Sequence, residues 1–256
     1  GLKMIRRSND EGHHYFIANL TDHDIDCRVP LAVAEKNALW YNPMTDRTYE
    51  ASINSDGLEI RLRSGESRIL LCSDTKHEAE KEKRLTDREI DLTGNKWQLS
   101  FTEEEPKVGE TFTLNGLQTW ESLNDAASKT MGTGIYETTF KLSKDDAAKE
   151  WVIDLGDVRE SARVYINGKY VGCAWAVPFV LDCKDALRKG KNTLRIEVTN
   201  LPANRIADMD RQGVAWRKMK EINVVDINYK KTSYANWKPV ESGMNGKVVL
   251  KLTSDF

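Results

Sequence analysis

The chain has 256 residues, with 38 Lys plus Arg against 40 Asp plus Glu and a formal net charge of -2. This length predicts one large or two medium domains whose core needs no covalent staples. The charge balance argues against a nucleic-acid or anionic-membrane partner. With a mean hydropathy of -0.58 and apolar runs no longer than CAWAVPFVL, no segment is long enough to span a bilayer as a helix.

The opening stretch GLKMIRRSNDEGHH lacks the apolar core of a signal peptide. A start on Gly rather than Met is expected of a processed or partial chain, so this says little about export. Next come short alternating runs: HYFIANL (14–20), DCRVPLAV (26–33), ALWYNP (38–43), LEIRLRSG (58–65) and SRILLCS (67–73). Each is bounded by Gly, Pro, Asn, Asp or Ser. Period-2 apolar spacing with β-branched and aromatic residues predicts strands, and residues 1–74 read as a small antiparallel β-sandwich domain, incomplete at its N-terminal edge.

TKHEAEKEKRLTDR (75–88) is charged and almost without apolar residues. Its local propensity is helical, yet it has no stripe to bury. It reads as a solvated linker over 75–92 with a helical turn or two, followed by a second domain at 93–256. Eight strand candidates follow in that domain: 96–101, 111–120, 134–142, 150–156, 161–172, 177–183, 192–200 and 247–253. KDDAAKE (144–150) and CKDALRKG (183–190) offer single helical turns. Short, evenly spaced strands predict a β-sandwich or jelly roll. Asn167-Gly168, between ARVYI and KYVG, fits a tight hairpin turn whose central residues need positive φ. Residues 201–246 are long and poorly periodic, and a loop of that length covers an edge, a partner or a site.

Candidate chemistry concentrates in NLPANRIADMDRQGVAWRK (200–218). Asn200, Asn204 and Arg205 offer planar groups for vicinal hydroxyls, and Trp216 offers a flat apolar face for the C–H side of a sugar ring. The same groups equally suit a loop tied to its own or a neighbouring domain. Trp97 and Trp151 lie in alternating strands and read as core. Trp120, Trp175, Trp216 and Trp237 lie at strand ends or in loops and read as binding platforms or interdomain anchors. The carboxylate runs Glu103–Glu105, Asp145–Asp146 and Asp208/Asp210 read as solvated rather than as a glycosidase pair. His13 and His14 point to opposite strand faces, so no metal site is expected. Cys27, Cys72, Cys173 and Cys183 read as four free thiols, with Cys173–Cys183 as the one bridge worth considering.

GTGIYETTFKL, EWVIDLGDVRESARVYINGKYVGCAWAVPFVLDC and KGKNTLRIEVTNLPANR together resemble the sugar-binding-type jelly roll of the family 2 glycoside hydrolase superfamily, with motif order and spacing kept from Gly134 to Asn204. VTNLPANRIAD and the segment from Trp237 to Leu250 are similar to the C-terminal region of large Bacteroidetes glycoside hydrolases, notably family 106 α-L-rhamnosidases. Residues 4–71 resemble the β-sandwich that precedes this jelly roll there.

The resemblance implies an all-β chain of two antiparallel β-sandwich domains, the second a galactose-binding-like jelly roll. It implies a non-catalytic C-terminal portion of a glycoside hydrolase active in polysaccharide breakdown, whose catalytic barrel would lie before residue 1. Such a portion would buttress the barrel and wall one side of its cleft. An independent carbohydrate-binding module and a purely structural domain pair are the alternatives. Expected partners are a plant-type glycan or the parent's catalytic domain. No cofactor is expected, structural calcium has no support in the sequence, and the implied location is periplasmic or extracellular. Trp175, Asn200, Asn204, Arg205 and Trp216 are the expected carbohydrate or interdomain contacts.

Overall fold

The computed structural model describes residues 1–32, 35–218, 228 and 232–254. Val33, at the end of the 26–33 run, and residues 219–227 and 229–231 of the long 201–246 stretch lie outside the described residues. The chain forms two compact units: Gly1–Asp87, joined by the residues from Leu252 on, and Arg88–Lys251.

The first unit holds β1 (Leu2–Asn9), β2 (Gly12–Asn19), β3 (Ile25–Val29), β4 (Asn37–Asn42), β5 (Arg47–Glu50), β6 (Ile53–Asn54), β7 (Gly57–Leu62) and β8 (Ser67–Ser73). They form a five-stranded sheet in the order β1-β2-β8-β4-β5 and a three-stranded sheet in the order β3-β7-β6. Alternation decides which side chains meet between them. Tyr15, Ile17, Trp40 and Leu70 come from the larger sheet and Leu58, Ile60 and Leu62 from the smaller, all buried in one cluster. β1 escapes the alternation pattern because LKMIRRSN is a polar edge strand, exposed at nearly every position.

The charged stretch 75–88 contains no helix. Its last residues enter a strand, β9 (Arg84–Asp91), in which every residue is exposed or half-buried. With no face fully buried, apolar alternation is not required, which hides the strand from hydropathy. The second unit continues with β10 (Lys96–Glu105), β11 (Phe112–Asn115), a 3-10 turn at Trp120–Ser122, α1 (Asp125–Lys129), β12 (Met131–Leu142), α2 (Lys144–Ala147), β13 (Trp151–Asp154), β14 (Val158–Arg159), β15 (Ser161–Ile166), β16 (Lys169–Ala174), β17 (Val180–Asp182), a 3-10 turn at Lys184–Ala186, β18 (Gly190–Thr199), α3 (Ala203–Arg211), β19 (Gly243–Met244) and β20 (Val249–Ser254). A six-stranded antiparallel sheet, β11-β10-β12-β18-β15-β16, faces a four-stranded one, β17-β13-β20-β9. Between them lie Trp97, Leu99, Tyr136, Val164, Ile166, Leu194 and Ile196 from the first and Trp151, Ile153 and Leu250 from the second, each at most 1% exposed. Trp97 and Trp151 are thus core, as their strand positions predict.

The eight strand runs read from the sequence all contain a strand. What alternation misses is α3. Its buried residues are Asn204, Ala207 and Asp208, so its inward face is mostly polar and leaves no apolar period to detect. Cys27, Cys72, Cys173 and Cys183 are all free thiols. Burial pushes the Cys72 thiol up to about 11, which keeps it protonated and slow to react.

The hairpin turn is more than a turn. Asn167 and Gly168 have φ of 54° and 78°, as a two-residue primed turn requires. Asn167 Nδ2 also donates to the Ala186 carbonyl at 2.8 Å and to Asn192 Oδ1 at 2.7 Å, while its Oδ1 accepts from Thr193 N at 3.1 Å. Asn167→Gly should therefore destabilise the unit by about 1–3 kcal/mol, although glycine adopts the turn freely. An unchanged urea midpoint would mean that turn geometry alone matters at this position.

Candidate functional site

The sequence gathers all its candidate contacts but Trp175 into the 200–218 segment, and the structure separates them by role. Asn200 is 9% exposed. Its Oδ1 accepts from Gly132 N at 3.0 Å, and its Nδ2 donates to the Thr130 carbonyl at 3.0 Å and Ser242 Oγ at 3.1 Å. Asn204, 6% exposed, grips the backbone of Val240 from both sides: Nδ2 donates to its carbonyl and Oδ1 accepts from its N–H, each at 2.8 Å. Nδ2 also reaches Glu121 Oε1 at 3.1 Å. Both amides are occupied by partners within the unit.

Arg205 is likewise held inside. It pairs with Glu105 at 3.1 Å and with Asp208 at 3.3 Å, which ties α3 to the end of β10. Asp208 also accepts from Gln212 Nε2 at 2.8 Å. These bonds fix α3 and the return segment 240–244. That segment is further held by Ser242 N on Glu121 Oε2 at 3.1 Å and by Met244 N on the Tyr136 hydroxyl at 3.2 Å.

Trp120, read from the sequence as a platform or anchor, is fully buried at 0% exposure. Its indole N–H donates to the Tyr136 hydroxyl at 2.8 Å, and its ring meets Phe101 edge-on at 5.0 Å. Strand-end position suggested an exposed ring. The bridge between Thr119 and Gly243 and the 240–244 segment instead close over it.

This frame presents an aromatic cluster. At the end of α3, Asp210 Oδ1 accepts from the Trp216 indole at 2.7 Å, and its Oδ2 accepts from Tyr234 N at 2.7 Å. The carboxylate thus fastens two chain segments 24 residues apart. The Trp216 and Tyr234 rings lie 6.3 Å apart, and Tyr234 and Trp237 lie 4.3 Å apart at 41°. The Arg217 guanidinium stacks on Trp216 at 4.9 Å and on Tyr234 at 5.2 Å. It also pairs with Asp210 at 3.7 Å and donates to the Thr232 carbonyl.

Trp237 stays 48% exposed. The result is a row of three rings with an embedded cation. It offers flat apolar faces and N–H donors to the C–H and hydroxyl faces of a pyranose. Tyr234 had no signal in the sequence, because only Asp210 at the end of α3 brings it to Trp216; Arg217 is next to Trp216 in the chain, and what the structure adds is its stacking on both rings. Trp237 was visible there only as a loop tryptophan.

Trp175 stands apart from this cluster. It follows β16, is 62% exposed, and has Val177, 43% exposed, two residues on. No described hydrogen bond or ring contact joins it to Trp216 or Trp237. Trp175 and Val177 form a small apolar knob at the sheet edge, suited to burial against another surface.

Comparison with known proteins agrees with this architecture. Residues 120–243 match the family described as glycosyl hydrolase 2 galactose-binding domain-like. A putative β-glucuronidase of Formosa agariphila is 29% identical over 154 residues, which are 56% of this chain and 13% of that protein. A β-glucuronidase of the same organism is 33% identical over 96 residues, 34% of this chain and 10% of that protein. The chain thus corresponds to a small part of these relatives' length. A rhamnosidase structure from Novosphingobium sp. PP1Y superposes on 98% of this chain and 24% of its own, with a TM-score of 0.71 and 23% identity. That likeness is one of fold, and it runs through both units.

Proposed function

We propose, from the premise that residues 120–243 are a glycoside hydrolase-related galactose-binding-like domain, that the chain is a non-catalytic portion of a polysaccharide-degrading enzyme and touches glycan through its aromatic cluster. The observation that carries this reading is the row Trp216–Tyr234–Trp237, two half-buried rings leading to an exposed one, with Arg217 stacked into it. The parent is read as α-L-rhamnosidase-like. Support comes from the motifs between Trp237 and Leu250 and from the two-unit fold shared with the rhamnosidase structure. A location outside the cytoplasm belongs to the same reading.

Calorimetry of the chain with a rhamnose-containing oligosaccharide tests it. Stacking plus a few hydrogen bonds on a surface site predicts a weak Kd, on the order of 0.1–1 mM. Trp237→Ala should remove most of the heat and Trp216→Ala all of it, while Trp175→Ala leaves it intact. Binding indifferent to Trp216 and Trp237, or turnover of an aryl α-rhamnoside by the chain alone, would sink the reading. A second reading, docking against the parent's catalytic domain, is favoured by the Trp175–Val177 knob. It predicts that Trp175→Ala weakens association with the separately produced catalytic domain without touching glycan binding.

A further inference from the structure

The outward face of the six-stranded sheet carries one continuous row across all six strands. Thr113 pairs with Gln98, Gln98 with Glu137, Glu137 with Arg195, Arg195 with Tyr165 and Tyr165 with Tyr170. At an inter-strand spacing of about 4.8 Å the row runs roughly 24 Å, several monosaccharides long. An open groove of about 610 Å³ lies over its middle, and Lys96, Thr139 and Thr193 also line it.

The chemistry along the row is that of sugar recognition rather than of a protein interface. At one end Gln98 and Thr113 present an amide and a hydroxyl, bonded to each other at 3.0 Å. At the other, Tyr165 and Tyr170 lie 5.4 Å apart, and Tyr170 is 53% exposed. Apart from those rings, Ile135, Met131 at the start of β12 and Val171 at the β16 bulge, the outward residues of these strands are polar or small.

The charge on this face runs against that of the chain. Away from the acidic end of β10 at Glu103–Glu105, Lys96, Lys141, Lys191, Arg163 and Arg195 stand against Glu137 and Glu197, five cations to two carboxylates, whereas the whole chain carries -2. The two carboxylates are taken up by the two arginines, at 2.8–3.8 Å. That leaves the three lysines without an ion-pair partner among the described residues. Two of them, Lys141 and Lys191, are direct cross-strand partners. Like charges placed directly opposite one another are destabilising, and an anion laid across them would relieve the repulsion.

We infer that this face of the sheet, the groove together with the Lys141–Lys191 pair beyond its end, binds a linear anionic polysaccharide, a uronate-type chain. Its carboxylates would lie over Lys96, Lys141 and Lys191 and its rings over Tyr165 and Tyr170. The site is separate from the Trp216 cluster, so the two stand or fall independently.

Affinity electrophoresis and calorimetry of the whole chain with polygalacturonate test the inference, with neutral galactan and an oligo-dT of equal charge as controls. Retardation by polygalacturonate alone is expected, weakening as salt rises. Lys141→Glu with Lys191→Glu should weaken it by roughly tenfold or more, Tyr170→Ala should weaken it severalfold, and Trp216→Ala should leave it unchanged. Lys141→Gln with Lys191→Gln repeats the test should the charge reversals disturb folding, and thermal unfolding checks each variant. No binding to polygalacturonate overturns the inference. So does equal binding to neutral galactan or to oligo-dT, and so does binding that survives the lysine and tyrosine substitutions.

Discussion

Trp120→Ala is expected to lower the stability of the second unit by about 3–5 kcal/mol, the most damaging single change considered for this chain. Three losses combine. The ring is wholly buried, so its removal leaves a cavity that β-sheet backbone cannot readily close. The Tyr136 hydroxyl, itself buried, loses the indole donor it accepts from. Phe101 loses its edge contact. Burial already drives the Tyr136 phenol far above its ordinary pKa, so the hydroxyl must stay neutral and find hydrogen bonds inside the protein.

Gly243 shows how closely this tryptophan is enclosed. Its φ is +90°, and a Cβ there would come within 2.4 Å of the Trp120 indole nitrogen. Urea unfolding followed by tryptophan fluorescence measures the effect. A loss below about 1 kcal/mol would mean that the ring is dispensable packing.

Asn204→Ala should cost about 2–4 kcal/mol, because it takes the partner from the N–H and the carbonyl of Val240 and leaves Glu121 with its Ser242 N contact but without the amide donor on Oε1. It should also loosen the ring cluster, since Val240 follows closely after Trp237. Asn204→Asp is a sharper version. It replaces the Nδ2 donor with an oxygen facing Glu121 Oε1 and the Val240 carbonyl. The new carboxyl would have a raised pKa in the folded state, so the damage is least at low pH. It grows as pH rises past the ordinary Asp value of about 3.9.

Thermal melts of both variants between pH 3.5 and 7.5 separate the two effects. A flat difference between them would show that Glu121 does not sense the new charge. Either variant also bears on function. Glycan binding lost only in proportion to unfolding marks Asn204 as scaffold, whereas binding lost from a fully folded variant would mark it as a contact.

The legibility of the sequence follows burial. β10, β12, β15 and β18 alternate because one face of each meets the core and the other meets water, so they were readable residue by residue. β1 and β9, with no fully buried face, and α3, packed through Asn204 and Asp208, carry no apolar period. The same physics divides the candidate contacts. Asn200 and Asn204 look like sugar ligands because planar amides bond hydroxyls well, but they bond a returning backbone just as well. Only the position of residues 240–244 shows which. Trp216 reads as exposed chemistry and is half-buried among partners. One of those partners, Tyr234, could not be foreseen, because the Asp210 carboxylate at the end of α3 fastens it beside Trp216 from 18 residues along an irregular chain.

The placement of β20 bears on how the protein is made. In the four-stranded sheet it lies between β13 and β9, although about 160 residues separate it from β9 along the chain. While a ribosome is still short of residue 249, β9 has no partner strand in this sheet and β13 is paired only with β17. That is the condition in which strands recruit the wrong partner. The nascent chain is therefore expected to depend on chaperones until β20 emerges, and to pass that dependence to any variant that slows the docking of β20.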